Sequence, residues 1–290
     1  MPREVVQGLR LAPGLMVLDG TVGAGGHSRL MLDAIQPGGQ LLGLDRDPMM
    51  LAHARQKLPE SAAVLHQSSY AEMEQVLQEL ALPCPDRILL DLGLSSDQLS
   101  DNTRSFSFQA DGALDLRFDT TQGRSAEELL ATESVEHLTA ILADLGEEPK
   151  AAAIAEQIVA SRKGMPLRTG RQLAQLVEKV VSGGRSGQQE RHPATRTFQA
   201  LRIAVNQELE HVVRGLVAAR TCLKPGGLFA VITFHSLEDR LVKQEFRERS
   251  WWTSITDKPV APSPAEIRFN PRSRSAKLRI VQRTAAKTPS

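Results

Sequence analysis

The stretch LMVLDGTVGAGGHSRLMLDAI (15–35), followed by QLLGLD (40–45), decides the fold. A short apolar run ends in a glycine-rich turn, and the segment after it carries apolar residues at helical spacing. A second apolar run follows directly. This strand–helix–strand order predicts two parallel strands joined by a crossover helix.

The same alternation extends to residue 93. Two further apolar runs, AAVLHQ (62–67) and DRILLDLG (86–93), follow helix-like segments at 48–58 and 68–80. Beyond residue 93 the strand pattern stops for more than a hundred residues. Helical spacing of apolar residues occupies that interval, at 125–145, 150–162 and 170–181, and a glycine-rich break follows at 181–189.

The alternating pattern resumes in the last third of the chain. A long helix is predicted from about 193 through 219, then a strand in LKPGGLFAVITFHS (223–236), a helix from Glu238 and a last strand in AKLRIVQR (276–283). We therefore predict an α/β fold, a Rossmann-like sheet interrupted by an inserted helical subdomain. The sheet domain is expected at 1–105 and 192–290, and the insertion at 106–191.

Composition places the chain among ordinary globular proteins. With 290 residues, 41% hydrophobic and 24% charged, it is neither disordered, collagen-like nor a coiled coil. Thirty-five basic and 34 acidic residues leave a net charge of +1, so only local patches of positive charge could indicate a nucleic-acid partner. There is no apolar run of membrane-spanning length and no signal peptide, and the two cysteines suggest no disulfide framework. We expect a soluble cytoplasmic protein.

The strongest chemical signal is the loop DGTVGAGGHS (19–28) between the first strand and the first helix. Its glycines allow close backbone approach to a ligand, and the following helix offers free N–H groups. Asp45 ends the second strand, where an α/β nucleotide site places a carboxylate on the ribose hydroxyls. The alternative is a structural glycine turn beside a helix-capping aspartate.

The loop favours a methyl donor over a dinucleotide. The dinucleotide fingerprint requires a third glycine where Ser28 stands. The acidic Asp19 would lie poorly beside a pyrophosphate, whereas it suits the positive sulfonium and amino groups of S-adenosylmethionine.

Further polar candidates follow the later strands. Asp91 and Gln98 come after the fourth strand, at the edge where ligands of such sheets lie, although Asp91 could instead cap a loop. His235 and Ser236 end the fifth strand without an evident triad acid, so a loop-capping role is an equal alternative. No Cys/His cluster has zinc spacing, and no metal is expected.

Taken together, these segments resemble the ribosomal RNA small subunit methyltransferase H enzymes. The matching segments, in order along the chain, are DGTVGAGGHSRL (19–30), LLGLDRDPMML (41–51), DRILLDLGLSSDQL (86–99), SFSFQADGALDLRFD (105–119), HPATRTFQALRIAVNQELE (192–210), FHSLEDRLVKQEF (234–246) and NPRSRSAKLRI (270–280). The resemblance implies transfer of a methyl group from S-adenosylmethionine to the exocyclic N4 of a cytidine in 16S ribosomal RNA, at the decoding site of the small subunit.

The resemblance also implies site residues. The family's cofactor contacts fall on Gly25, Gly26, His27, Asp45, an aromatic after the third strand, Asp91 and Gln98; Tyr70 is our choice for the aromatic. The family usually begins with a short His-x-Pro-Val-Leu segment, whereas this sequence starts at Met1-Pro2-Arg3. It also lacks the Asp-Pro-Pro-Tyr tetrapeptide of other amino-methyltransferases, because Asp91-Leu92-Gly93-Leu94 stands there.

A cytosine amine is a poor nucleophile, so positioning and a hydrogen-bond acceptor for N4 should matter most. Our first hypothesis for that acceptor is Asp91, and the second is the His235–Ser236 loop. Two basic clusters predict an RNA surface; they are Arg268, Arg272, Arg274, Lys277, Arg279, Arg283 and Lys287, and Arg185, Arg191, Arg196 and Arg202. Four phenylalanines in the intervening chain could bind RNA or form the core of the insertion: Phe106, Phe108, Phe118 and Phe198.

Three other functions compete with this interpretation. The runner-up is a methyltransferase that acts on DNA cytosine or a small molecule, and the large insertion and basic tail argue against a small acceptor. A non-catalytic ribosome-assembly factor is the second, although it would not need the loop, Asp45, Asp91 and Gln98 together. An NAD oxidoreductase is least favoured, because of Ser28 and Asp19.

Overall fold

The computed structural model describes residues 1–182 and 192–284. Its strands are β1 Met16–Asp19, β2 Gln40–Asp45, β3 Ala63–Gln67, β4 Arg87–Asp91, β5 Leu228–Thr233, β6 Trp252–Ser254 and β7 Lys277–Arg283. Its helices are α1 Pro2–Gly8, α2 Gly26–Ile35, α3 Pro48–Arg55, α4 Met73–Glu79, α5 Ser96–Ser100, α6 Ala126–Thr132, α7 Val135–Ala140, α8 Ala151–Ser161, α9 Gly170–Ser182, α10 Thr195–Asn206, α11 Glu208–Cys222, α12 Ser236–Glu245 and α13 Pro264–Phe269. Short 3₁₀ turns occupy Tyr70–Glu72 and Pro271–Ser275, and a π-helical turn occupies Ile141–Leu145.

The seven strands form one sheet in the order β3-β2-β1-β4-β5-β7-β6. The first five pair in parallel, as the alternating pattern predicts. β7 pairs antiparallel with both β5 and β6, which the sequence analysis did not predict. The order β3-β2-β1-β4-β5 is that of a doubly wound sheet, and its reversal between β1 and β4 opens a crevice at the carboxyl ends of the strands.

Helices cover both faces of this sheet, which explains why its strands read as continuous apolar runs. Alternate residues of each strand point to opposite faces, so Leu18 and Leu90 pack in one cluster with residues of α4, α11 and α12. Val17 and Leu89 pack in the other cluster with residues of α1, α2 and α3. Buried side chains on both faces fix the register and therefore the positions of the strand ends.

The chain divides into two compact units, Met1–Ser95 with Leu209–Ser290, and Ser96–Glu208. The first contains the sheet, and the second is helical. The second unit extends further at both ends than the insertion expected at 106–191. One reason is α10: the side-chain amide of Asn206 donates to the carbonyl of Leu116 (2.7 Å) and its oxygen accepts from the backbone of Phe118 (2.8 Å).

The single helix predicted over 193–219 is wrong. It is two helices, α10 and α11, separated by Gln207 at φ +51°. That left-handed conformation ends the series of helical hydrogen bonds. It is usually marked in a sequence by glycine, and a glutamine at this position does not predict it. The glycine-rich segment expected at 181–189 lies largely outside the described residues.

Candidate active site

Asp19, the last residue of β1, stabilises the glycine loop through hydrogen bonds. Its buried carboxyl group accepts hydrogen bonds from the Ser28 hydroxyl (2.6 Å) and from the backbone N–H of Thr21 (3.1 Å). Burial raises the pKa of Asp19, and the Ser28 bond opposes that shift. Ser28 stands where the dinucleotide fingerprint has a glycine, and its hydroxyl is a hydrogen-bond partner of the buried Asp19 carboxyl group.

The end of the loop presents an open helix terminus. Gly25 precedes α2 with φ +82°, a conformation that favours glycine. At Gly26 an added Cβ would meet no other atom within 4 Å, so the backbone here borders open space. The first N–H groups of α2 lack intrahelical acceptors. This part of the loop can receive a polar ligand at close range.

Asp45 ties the second strand to the same loop. One carboxylate oxygen accepts from the backbone N–H of Gly23 (2.9 Å), and the other accepts from that of Asp47 (2.9 Å). Burial raises the pKa of Asp45 to about 7, although these two hydrogen bonds lower it. Each oxygen keeps a further lone pair that a ligand hydroxyl could use. Asp45 thus lies where the sequence predicts the ribose acceptor.

Asp91 ends β4 and meets the loop through His27. The Nδ1 atom of His27 lies 3.3 Å from one Asp91 oxygen, and the Asp91 backbone N–H donates to the Thr21 hydroxyl (2.7 Å). The other Asp91 oxygen and the Nε2 atom of His27 are buried without a hydrogen-bond partner. Burial, with a smaller contribution from the nearby carboxylate of Glu238, raises the pKa of Asp91 to about 7, and the positive charge of the N-terminal amine opposes this shift. Burial lowers the pKa of His27.

Tyr70 follows β3 and begins a 3₁₀ turn at the same edge of the sheet. Its ring lies against α11, because a Cβ added at Gly215 would approach the ring to 2.5 Å. A Cβ added at Gly20 would come within 2.8 Å of the Tyr70 Cβ. The aromatic chosen from the sequence therefore borders the start of the glycine loop.

His235 and Ser236 lie at the start of α12. His235 is the N-cap residue: its Nε2 lies 3.0 Å from a carboxylate oxygen of Glu238, and Glu238 also accepts from the backbone N–H of Phe234 (2.9 Å). This geometry matches the capping alternative for His235. Ser236 is exposed in the first turn of α12.

Gln98 lies in the second compact unit, buried on α5. The sheet unit therefore brings the other predicted residues to its carboxyl edge, and the role of Gln98 stays a prediction. Sequence reasoning missed two residues of this edge. Thr21 joins β4 to the loop, and Glu238 acts on both His235 and Asp91. No local pattern marks Glu238, because the capping-box signal expects Ser, Thr, Asp or Asn at the cap position, where His235 stands.

Several cations of the predicted RNA surface have partners within the fold. Lys277 and Arg279 pair with Asp239 (3.2 and 2.8 Å), and Arg283 donates to the carbonyls of Thr221 and Leu223 at the end of α11. In the second unit, Arg202 pairs with Glu208 (2.7 Å). Arg185, Arg191 and Lys287 lie outside the described residues. The partnered cations stabilise the fold, so the predicted basic surface is smaller than the sequence suggests; they are Lys277, Arg279, Arg283 and Arg202.

The four phenylalanines of the intervening chain lie in the second unit, where they contact one another or other rings. Phe106 stacks on Phe118 (ring centroids 5.8 Å apart), and Phe108 packs edge-on against Phe198 (5.6 Å). Phe106 and Phe198 are buried. The core alternative therefore holds for these two residues.

The sheet unit fits a cationic cofactor. Asp19, Asp45 and Asp91 lie at one edge with pKa values raised by burial, and a positive charge there would favour their ionised forms. The open backbone at Gly26 and the unpartnered oxygen of Asp91 supply space and an acceptor. Across the two described ranges, no group of three or more His, Cys, Asp or Glu side chains could hold a metal ion. No helix there is long and apolar enough to cross a membrane.

Three features define the class of protein. They are the order of the sheet with its antiparallel seventh strand, the glycine loop after β1, and the acidic residues at the ends of β2 and β4. This class is that of the Rossmann-like methyltransferases, which use S-adenosylmethionine. The predicted fold class and cofactor are confirmed.

The chain belongs to the MraW methylase family, whose model matches residues 1–284. It is 46% identical over 298 residues to the ribosomal RNA small subunit methyltransferase H of Thermomicrobium roseum, covering 95% of this chain and 90% of that protein. It is 48% identical over 288 residues to the protein of that name from a Cyanothece species, covering 99% and 94%. The Trichlorobacter lovleyi protein of the same name is 44% identical, with 98% and 96% covered. The resemblance stated from the motifs is confirmed.

Proposed function

We propose that this protein transfers a methyl group from S-adenosylmethionine to the exocyclic N4 of a cytidine in 16S ribosomal RNA, at the decoding site of the small subunit. One observation carries the RNA substrate: relatives named for small-subunit ribosomal RNA methylation are 46–48% identical over nearly the whole chain. The N4 atom and the decoding site rest on the motif resemblance.

Different residues of the sheet unit bind different parts of the cofactor. The backbone at Gly25 and Gly26 borders the open space at the start of α2, where it can approach the amino-acid part of the ligand. Asp45 accepts the ribose hydroxyls, and Tyr70 lies against the base. His27 supplies a buried polar atom without a hydrogen-bond partner, and Asp91 lies beside it. Gln98 completes the set as a prediction from sequence.

When bound, S-adenosylmethionine supplies an electrophilic methyl group on a positively charged sulfur. The chain must bring the cytosine amine into line with that methyl group and exclude water, because the nitrogen lone pair is delocalised into the ring. The target base must leave its stack to reach the edge of the sheet. A carboxylate that accepts an N4 hydrogen would localise the lone pair on nitrogen.

Asp91 is the better of the two candidates for that acceptor. One of its oxygens is buried and unpartnered, and its pKa of about 7 leaves a large ionised fraction at neutral pH. The Nδ1 atom of His235 accepts from the backbone N–H of Glu238, so its Nε2 atom carries the ring proton; although Nε2 also lacks a hydrogen-bond partner, it can donate but not accept an N4 hydrogen. We assign His235 and Ser236 the secondary role of shaping the pocket beside Asp91.

The test is methyl transfer from labelled S-adenosylmethionine to a panel of acceptors. Small-subunit particles lacking the modification, free 16S ribosomal RNA, large-subunit particles, DNA and free cytidine would be compared under one condition. Transfer to small-subunit RNA supports the proposal. Transfer to DNA or cytidine alone would establish the runner-up, and cofactor binding without transfer to any acceptor would favour an assembly factor.

A further inference from the structure

Phe269 is an unusually exposed aromatic residue. It ends α13, and 87% of its side-chain surface is accessible. Single exposed hydrophobic residues are common, so exposure alone has no functional meaning. Two features distinguish Phe269: the side chains beside it along the chain, and its position in the fold.

Three arginines flank the ring along the chain. Arg268, Arg272 and Arg274 are exposed, and within the described residues none of them forms an ion pair or a hydrogen bond. The cations of β7 differ, because Lys277 and Arg279 both pair with Asp239. The segment 268–274 therefore offers three guanidinium groups that the fold does not use.

The register of the sheet places this segment at the edge where the candidate site lies. Lys277, the first residue of β7, pairs with Thr233, the last residue of β5. The 3₁₀ turn Pro271–Ser275 and helix α13 directly precede Lys277, so they lie at the carboxyl end of β5, next to the end of β4. The charge of Glu266 on α13 also acts on the titration of His27.

An exposed ring beside free guanidinium groups matches the chemistry of unpaired RNA. Bases stack on aromatic faces whatever their sequence, and arginines bind the phosphates between them. Duplex RNA offers phosphates but no free base face. A cytidine that must be unstacked before methylation leaves unpaired neighbours beside it.

We propose that Phe269 stacks on an unpaired RNA base next to the target cytidine, while Arg268, Arg272 and Arg274 bind the flanking phosphates. This inference rests on the proposed RNA substrate and adds a recognition surface to it. The surface selects single-stranded RNA at the rim of the site, apart from the residues assigned to the cofactor.

The ring is tested by the variants Phe269→Leu and Phe269→Trp. The probe is a single-stranded RNA with 2-aminopurine beside a cytidine, whose fluorescence falls when the analogue stacks. Wild type and Phe269→Trp should quench the probe on binding. Phe269→Leu should not quench it and should bind about 5- to 100-fold more weakly, from the usual stacking contribution of one base. Because the ring is exposed, thermal unfolding and cofactor affinity should match wild type in both variants.

The arginines are tested by the salt dependence of RNA binding. The double variant Arg272→Gln/Arg274→Gln should lower the slope of log K against log salt concentration by about two, one for each phosphate contact. Arg55→Gln is the matched control, because Arg55 is an exposed arginine at the far end of α3. Its slope should equal that of wild type.

The outcomes separate this inference from the proposed function. Equal quenching and affinity for wild type and Phe269→Leu would overturn it. So would an effect of Phe269→Leu on ribosomal particles with none on naked RNA, since that indicates a protein contact. If wild type quenches through Phe269 yet methylates no ribosomal RNA, the stacking surface stands and the proposed reaction fails.

Discussion

The Nδ1 atom of His27 lies 3.3 Å from a carboxylate oxygen of Asp91, which joins the glycine loop to the end of β4. Burial lowers the pKa of His27 and raises that of Asp91, so both groups tend toward their neutral forms. Each also has one buried polar atom without a partner. A cationic ligand beside this pair would favour the carboxylate, which links cofactor binding to the protonation of Asp91.

Replacing Asp91 tests its role in the reaction. In Asp91→Asn the side chain keeps its size but loses the negative charge that accepts the N4 hydrogen. We expect methyl transfer to fall by about 100-fold or more, the usual contribution of a positioned base. Because Asp91 is also a predicted cofactor contact, cofactor affinity measured by calorimetry should fall too, and the two rates are therefore compared at saturating cofactor. Asp33→Asn is the control, because Asp33 is an exposed carboxylate on α2 that pairs with Arg29. Full turnover by Asp91→Ala would remove Asp91 from the reaction.

The raised pKa of Asp91 predicts a pH dependence of methyl transfer. The carboxylate is the active form, and its fraction grows as pH rises through about 7. The rate at subsaturating cofactor reports the free enzyme and should therefore increase from pH 6 to pH 8. The residual rate of Asp91→Asn should lack this rise. A flat profile for wild type would contradict the assignment.

The same shift predicts how stability varies with pH. An aspartate with an ordinary pKa of 3.8 loses its proton in the unfolded chain near pH 4, whereas folded Asp91 keeps it to about pH 7. The folded state thus binds more protons in this window, so ionisation of Asp91 makes the cofactor-free protein less stable as pH rises. The free energy of unfolding of wild type should fall between about pH 4 and pH 7 relative to that of Asp91→Asn. Urea titrations at several pH values would measure this difference, and a constant difference would refute it.

Gly26 offers a clean test of the space beside the loop. A Cβ added at Gly26 meets nothing within 4 Å, so Gly26→Val should fold normally while it fills the region assigned to the cofactor. We expect cofactor affinity to fall by about tenfold or more, equal to about 1.4 kcal/mol. Gly164→Val in the second unit is the matched control, because a Cβ there also meets nothing. Wild-type affinity in Gly26→Val would place the cofactor elsewhere.

Ser28 should matter for stability because it is the buried partner of Asp19. Ser28→Ala removes the 2.6 Å hydrogen bond and leaves a carboxyl oxygen unsatisfied, which should cost about 1–3 kcal/mol of unfolding free energy. Ser100→Ala is the control, because its hydroxyl bonds to the Ser96 carbonyl at the surface. Chemical denaturation would compare the two. An equal, small loss in both would show that Asp19 finds another partner.

The sequence predicted the parallel half of the fold well because buried strands in a doubly wound sheet are short apolar runs. β2 begins and ends where predicted, at Gln40 and Asp45. The antiparallel edge was harder, since β6 has three residues, of which only Trp252 is buried. The break at Gln207 depends on backbone conformation, and no glycine marks it.

The positions of the candidate site residues were easier to predict than the extent of the RNA surface, and their roles stay predictions. The loop, Asp45 and Asp91 follow strand ends that parallel pairing brings to one edge, whereas Tyr70 came from the family resemblance. Whether a cation is free depends on partners distant in sequence, as with Arg279 and Asp239, and no local pattern reports that pairing. The exposure of Phe269 was equally invisible, because an exposed and a buried phenylalanine look alike in sequence.

The most direct test of the central claim is the identity of the methylated atom. Small-subunit particles lacking the modification would be treated with wild type or Asp91→Asn and S-adenosylmethionine, and their 16S RNA digested to nucleosides for mass spectrometry. We predict N4-methylcytidine from wild type and a yield reduced by about 100-fold or more at equal times from Asp91→Asn. Methylation of another atom, or no methylated nucleoside despite measured cofactor binding, would contradict the proposed reaction.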